Sequence, residues 1–175
     1  MKELSFKRGA ECTSIDAAMI GSTAEGVRVL FLIEWKYTEV YNNKDLYCGV
    51  RANIYDNLIT SLDSPFNYYL TRAYYFEPFY QMMRQNLLGY CCTKYKDYDC
   101  DDYRLVHVIP EKNEELLNTI NSNYLNGNTI KDAWLKTLKR PETYIHKSPE
   151  ELLEPIQNCN DVSSLVSYLR ERYWG

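Results

Sequence analysis

Ser14-Ile15-Asp16-Ala17-Ala18 and, beyond a turn with two glycines, Leu32-Ile33-Glu34-Trp35-Lys36-Tyr37 hold most of the chemical content of this 175-residue chain. They set one Asp, then Glu-x-Lys, on two apolar runs. Residues 13–20 read as a strand of mixed polarity, and 27–41 as a longer one rich in Val, Leu, Ile, Trp, Tyr and Phe. Residues 21–26 between them read as a hairpin loop, with Gly21 and Gly26 free to take positive φ. A turn centred on Glu25 pairs Asp16 with Glu34, since the two lie equally far from the centre. Opposed residues share a face, with Cβ atoms about 4.5–5.5 Å apart. Side chains alternate along a strand, so Lys36 joins Glu34 while Ile33, Trp35 and Tyr37 point the other way. A slip of one residue would send Asp16 to the opposite face.

Glu and Lys inside an apolar strand need partners. One reading is a cross-strand ion pair of Asp16 or Glu34 with Lys36 at a sheet edge, a contact of small energetic worth when exposed. The other is a functional site. Two carboxylates and a backbone carbonyl supply hard oxygen ligands for Mg²⁺ or Mn²⁺, and an amine beside them orients water or stabilises charge developing on a phosphate.

These residues resemble the signature of the PD-(D/E)xK nuclease superfamily, the restriction-endonuclease-like fold. The flanking stretches Thr13-Ser14-Ile15-Asp16-Ala17 and Ile33-Glu34-Trp35-Lys36-Tyr37-Thr38-Glu39 are similar to those of a bacterial branch of it. The resemblance implies that Asp16 and Glu34 bind the metal together with the Trp35 carbonyl, and that Lys36 is the catalytic lysine. It also implies a helix beside the site, where some branches carry a Gln. The run Tyr80-Gln81-Met82-Met83-Arg84-Gln85 is similar to that helix, which makes Gln81 and Arg84 candidates for substrate phosphate; both also suit a polar surface. The superfamily core commonly begins with a helix before its first strand. Few residues precede Asp16, so that helix is expected to be shortened or missing, with Glu11 the only nearby acid.

Composition is that of a globular domain, 45% apolar and 25% charged. The net charge of −4 argues against a protein that coats nucleic acid unspecifically, while leaving room for an acidic metal site with local basic contacts. Seventeen tyrosines suit packing, with some available to stack on bases. The six cysteines form no CxxC pair, and Cys91, Cys92, Cys100 and His107 are too irregularly spaced for a typical zinc site. With no signal peptide and no apolar run of membrane length, a cytoplasmic protein with reduced thiols is expected.

Further along, Leu46, Val50, Ile54, Leu58 and Leu62 recur every four residues and predict a helix over 45–62 with that stripe inward, capped by Asn43 or Asp45. Arg51 and Tyr55 fall on another face, as a solvated flank or a phosphate-contacting pair. A second helix is expected over 79–88, ended by Gly89. Asp97 to Asp102 reads as a solvated acidic turn, and 104–109 as a short strand ended by Pro110, with His107 packed in it. From 111 onward the pattern is helical, with Ser148-Pro149-Glu150-Glu151 a capping box. The basic residues Lys131, Lys136, Lys139 and Arg140 read as a solvated face.

The expected architecture is therefore one α/β domain over 1–175. A small mixed β-sheet flanked by helices occupies 1–110, followed by a helical C-terminal portion over 111–175. The expected activity is Mg²⁺-dependent hydrolysis of phosphodiester bonds in nucleic acid, DNA foremost, with no membrane association and a homodimer admissible. The alternative is a non-catalytic domain of the same fold that binds nucleic acid or a protein partner.

Overall fold

The structure, a computed structural model, describes residues 13–67 and 70–173. Glu11, Cys12 and Trp174 lie outside these. A four-stranded mixed sheet has the order β1 (Ala17–Ser22), β2 (Arg28–Trp35), β3 (Asp102–Val108), β4 (Tyr144–Lys147). β1 and β2 form the antiparallel hairpin, and β3 and β4 each add in parallel. Among the described residues no helix is long and apolar enough to cross a membrane. This is the helix-flanked α/β sheet expected from the sequence.

The hairpin register is also the expected one. Ala17 pairs with Ile33, Ala18 with Leu32 and Ser22 with Arg28, so the turn centres on Glu25. Thr23 N donates to the Val27 carbonyl at 2.9 Å, and Gly26 takes φ 83° to close the turn. The strand boundaries differ from expectation. β1 begins at Ala17 and runs through Gly21. β2 stops at Trp35, because Tyr37 N and Thr38 N turn to the Glu39 carboxylate and leave the ladder.

The first crossover carries α1 (Gly49–Thr60) and α2 (Phe79–Lys94). The stripe expected to face inward does the reverse: Val50 is 73% exposed, Ile54 50% and Leu62 fully. The inward face is instead Arg51, Tyr55 and Ile59, also spaced by four. A spacing of four marks a face without saying which side the sheet lies on. The expected caps do not act either, since Cys48 is the N-cap. Asp45 instead accepts from Tyr47 N at 2.8 Å and pairs with Arg72.

α2 runs straight through Gly89 rather than ending there. A Cβ at position 89 would lie 2.8 Å from Tyr103 Cγ on β3, so glycine here serves the close approach of helix and strand. Tyr103 Oη donates to Asn86 Oδ1 at 2.9 Å and locks the ring under the helix.

The C-terminal portion is not wholly helical, since β4 completes the sheet. The remaining helices are short: α3 (Glu114–Asn118), α4 (Ile130–Leu135), α5 (Pro149–Leu153) and α6 (Ser163–Tyr173). The predicted capping box stands, with Glu151 N donating to Ser148 Oγ at 3.2 Å and Ser148 N to Glu151 Oε2 at 2.9 Å. Trp134 of α4 anchors an aromatic core with Phe66, Tyr74 and Phe79. This core sits against the same sheet face as Leu30 and Leu32 of β2.

Candidate active site

Glu34 follows Leu30 and Leu32 on the inward face of β2, and Lys36 continues the alternation one step past the strand end. Both are only 5% exposed. Lys36 Nζ lies 2.6 Å from Glu34 Oε1. Desolvating two ions costs several kcal/mol each, roughly, unless further hydrogen bonds compensate. α2 supplies those bonds. Gln81 Nε2 donates to Glu34 Oε1 and Gln85 Nε2 to Glu34 Oε2, each at 2.7 Å. The two glutamines are one helical turn apart and reach down from the same face.

Burial alone would pull the Lys36 amine toward its neutral form. The hydrogen bond and charge of Glu34 outweigh this and hold its pKa above the ordinary lysine value, so Lys36 is a cation at neutral pH. Tyr41, whose hydroxyl pKa burial raises, adds to this environment. Glu77 sits beside the start of α2 and accepts from Gln81 N at 3.2 Å. Burial raises its carboxyl pKa, against the pull of that hydrogen bond and of Lys36, Arg84 and Arg51.

β3 contributes His107, the register partner of Glu34 across the sheet. Its Nε2 lies 3.4 Å from Gln85 Oε1. A carboxylate only accepts, so Gln85 turns its nitrogen to Glu34 and its oxygen to His107, and the imidazole proton then belongs on Nε2. Complete burial, with the charges of Lys36 and His146, lowers the His107 pKa from 6.5 to about 3. The ring is neutral at physiological pH.

The structure thus brings Glu34, Lys36 and Gln81 together. Asp16 stands next in register to Ala17, opposite Glu34, but is exposed, and its Oδ2 accepts from Trp35 N at 2.8 Å. Glu34 and Lys36 touch directly, while Asp16, opposite Glu34, uses Oδ2 to take a backbone amide of the neighbouring strand. Trp35 lies on the other strand face, as expected. The Arg84 guanidinium lies over the Tyr80 ring, 5.4 Å from the centroid. Gln85, Glu77 and His107 are absent from the expected site. The Gln81/Gln85 spacing is a usable signal for the first, whereas Glu77 and His107 arrive only through tertiary packing. Among the described residues no three of His, Cys, Asp and Glu converge, so Cys91, Cys92, Cys100 and His107 form no metal cluster.

Comparison with known proteins finds one family, REase-ARP, described as Restriction Endonuclease associating with ARP, matching residues 2–174. The chain belongs to the REase-ARP family. The match spans nearly the whole chain, and the mixed sheet with its flanking helices is consistent with the restriction-endonuclease-like fold of the PD-(D/E)xK superfamily. No curated protein and no solved structure matches. The family match makes this a nuclease-like domain.

Proposed function

We propose that the chain is a metal-dependent nuclease hydrolysing phosphodiester bonds of nucleic acid, DNA foremost. The observation that carries this reading is the buried Glu34–Lys36 pair at 2.6 Å, seated in a restriction-endonuclease-associated domain and braced by two glutamines. A buried ion pair contributes little to stability by itself, so its retention in the interior supports a chemical role.

Asp16, Glu34 and the Trp35 carbonyl would hold Mg²⁺, with Mn²⁺ as substitute. The donors are all oxygen, as a hard divalent cation requires. Among the described residues Glu34 Oε1 accepts two hydrogen bonds and Oε2 one, which leaves Oε2 capacity, and Asp16 commits one oxygen to Trp35 N. The cation, when bound, supplies Lewis-acid polarisation of the phosphate. Lys36, held as a cation, orients the attacking water and stabilises negative charge on the phosphate oxygens. Gln81 and Gln85 keep Glu34 in one orientation. Phosphoryl transfer depends chiefly on such positioning.

A second reading is a binding domain without catalysis. It is favoured by the outer face of α1, where Val50, Ile54 and Leu58 are exposed and continue to Leu62, and by the family description, which names association with ARP. Calorimetry with Mn²⁺ separates the two, because absence of metal binding favours the second.

Cleavage of plasmid and single-stranded DNA with Mg²⁺ or Mn²⁺, by wild type and by the near-isosteric Glu34→Gln and Lys36→Met, tests the nuclease reading. Activity in wild type that is lost in both folded variants supports it. Equal activity in all three sinks it.

A further inference from the structure

Asn121, in the segment that follows α3, is buried and ties together two stretches of chain that are far apart in sequence. Its Nδ2 donates to the Tyr41 carbonyl at 3.1 Å and to the Glu77 carbonyl at 3.0 Å. A side-chain amide nitrogen carries two hydrogens, so one group serves both carbonyls. Neighbouring residues brace the same two stretches. Asn113 Nδ2 donates to the Tyr37 and Glu39 carbonyls at 3.2 and 3.4 Å, and Ser122 Oγ to the Ala73 carbonyl at 2.9 Å.

The two stretches carry the two halves of the site. The first leaves β2 through Lys36 and reaches Tyr41. The second leads through Glu77, whose carboxylate accepts from Gln81 N, into the helix whose Gln81 and Gln85 hold Glu34. Asn121 therefore sets Tyr41 beside the entry to α2, within the surroundings of the Glu34–Lys36 pair.

Tyr41 is half-buried and packs against the core. Its hydroxyl and the Lys36 amine act on each other through charge and a hydrogen bond. An ammonium has donors only, so Tyr41 Oη is the acceptor and the phenolic hydrogen points away from Lys36. Burial, with the charges of Glu77 and Glu39, holds the hydroxyl pKa above the ordinary phenol value against the pull of Lys36, so this hydrogen is present at neutral pH. With one Lys36 N–H given to Glu34 and a second to Tyr41, the third is left for the attacking water.

We propose that Tyr41 is a further catalytic residue, whose hydroxyl accepts from Lys36 and donates to a non-bridging oxygen of the scissile phosphate, and that Asn121 is its positioning residue. This rests on the nuclease reading of the Glu34–Lys36 pair. No proton is transferred: the hydroxyl is a preorganised donor aimed at charge that grows in the transition state.

The test is steady-state cleavage of DNA with Mn²⁺ by wild type, Tyr41→Phe, Asn121→Ala and the double variant, beside Lys36→Met. Mn²⁺ affinity by calorimetry and melting temperature are read on each. Tyr41→Phe keeps the ring and removes only the donor. Its kcat is expected to fall about 10²–10³-fold, with KM, Mn²⁺ affinity and melting temperature at wild-type values, a split that a merely structural hydroxyl would not produce. Asn121→Ala is expected to lower kcat in wild type and to add little in the Tyr41→Phe background, whereas losses that multiply overturn the role given to Asn121. Lys36-dependent cleavage with kcat unchanged in Tyr41→Phe overturns the proposal and leaves the nuclease reading standing. A lowered melting temperature with unchanged kcat overturns it too, by assigning the hydroxyl to the fold. A wild type that cleaves no DNA overturns both.

Discussion

Gln85 joins two strands of the sheet to one helix through a single amide: its nitrogen is 2.7 Å from Glu34 Oε2 on β2 and its oxygen 3.4 Å from His107 Nε2 on β3. The amide cannot be turned over without setting its oxygen against a carboxylate, so the arrangement has one solution. Gln85→Leu leaves Glu34 Oε2 without a donor among the described residues, and the expected loss is about 1–3 kcal/mol in urea unfolding. Gln85→Glu sets a second carboxylate against Glu34 and is expected to cost more at neutral pH than the leucine variant.

Glu34 and Lys36 stabilise one another mainly because neither tolerates burial alone. Lys36→Met and Glu34→Gln are each expected to destabilise by up to about 3–5 kcal/mol. The double variant should lose less than the sum of the two, since no lone charge remains inside. Denaturant unfolding of the four proteins closes this double-mutant cycle, and strict additivity would contradict the coupling.

Acid should unfold the protein in part through His107. The unfolded chain takes up this proton near 6.5 and the folded chain only near 3, so between those values the unfolded state binds more protons. The stability associated with neutral His107 is complete above 6.5 and falls with falling pH at up to about 1.4 kcal/mol per pH unit. His146, its pKa lowered chiefly by burial, adds in the same direction. Unfolding free energies measured across this range should show a shallower pH slope for His107→Leu than for wild type.

The outer and inner faces of α1 should respond differently to substitution. Val50→Ser and Leu62→Ser replace exposed side chains and are expected to change stability by no more than about 0.5 kcal/mol. Ile59→Ala empties a buried position, and a loss of about 2–5 kcal/mol is expected. Thermal melts of the three variants check the contrast.

What could be read from the sequence follows from the range of each interaction. The Asp16/Glu34 register was legible because a two-glycine turn and strand alternation are local, and they fix both partner and face. The capping box at Ser148 is local in the same sense. The orientation of α1 was not legible, because its apolar set and its Arg51-Tyr55-Ile59 set share one period, and only the sheet decides between them. Helix α2 outlasted Gly89 because the residue answers to Tyr103, far along the chain, and not to a helix end. β4 spans four residues, Tyr144–Lys147, too few to display a period of two. In the site, Glu34 and Lys36 lie on one strand and could be paired in advance. His107 reached Glu34 only through a parallel crossover, and Asp16 found a backbone amide that no pattern of side chains announces.

The contact of Gly89 with Tyr103 has an evolutionary consequence. The spacing of α2 from the sheet also sets how far Gln81 and Gln85 reach toward Glu34, so a lineage cannot gain a side chain at 89 and keep the ring at 103 without lifting the glutamines from their carboxylate. Positions 89 and 103 are expected to change together among related chains, a larger residue at one accompanying a smaller residue at the other. A pair with no part in the chemistry would then bear the imprint of selection on the site.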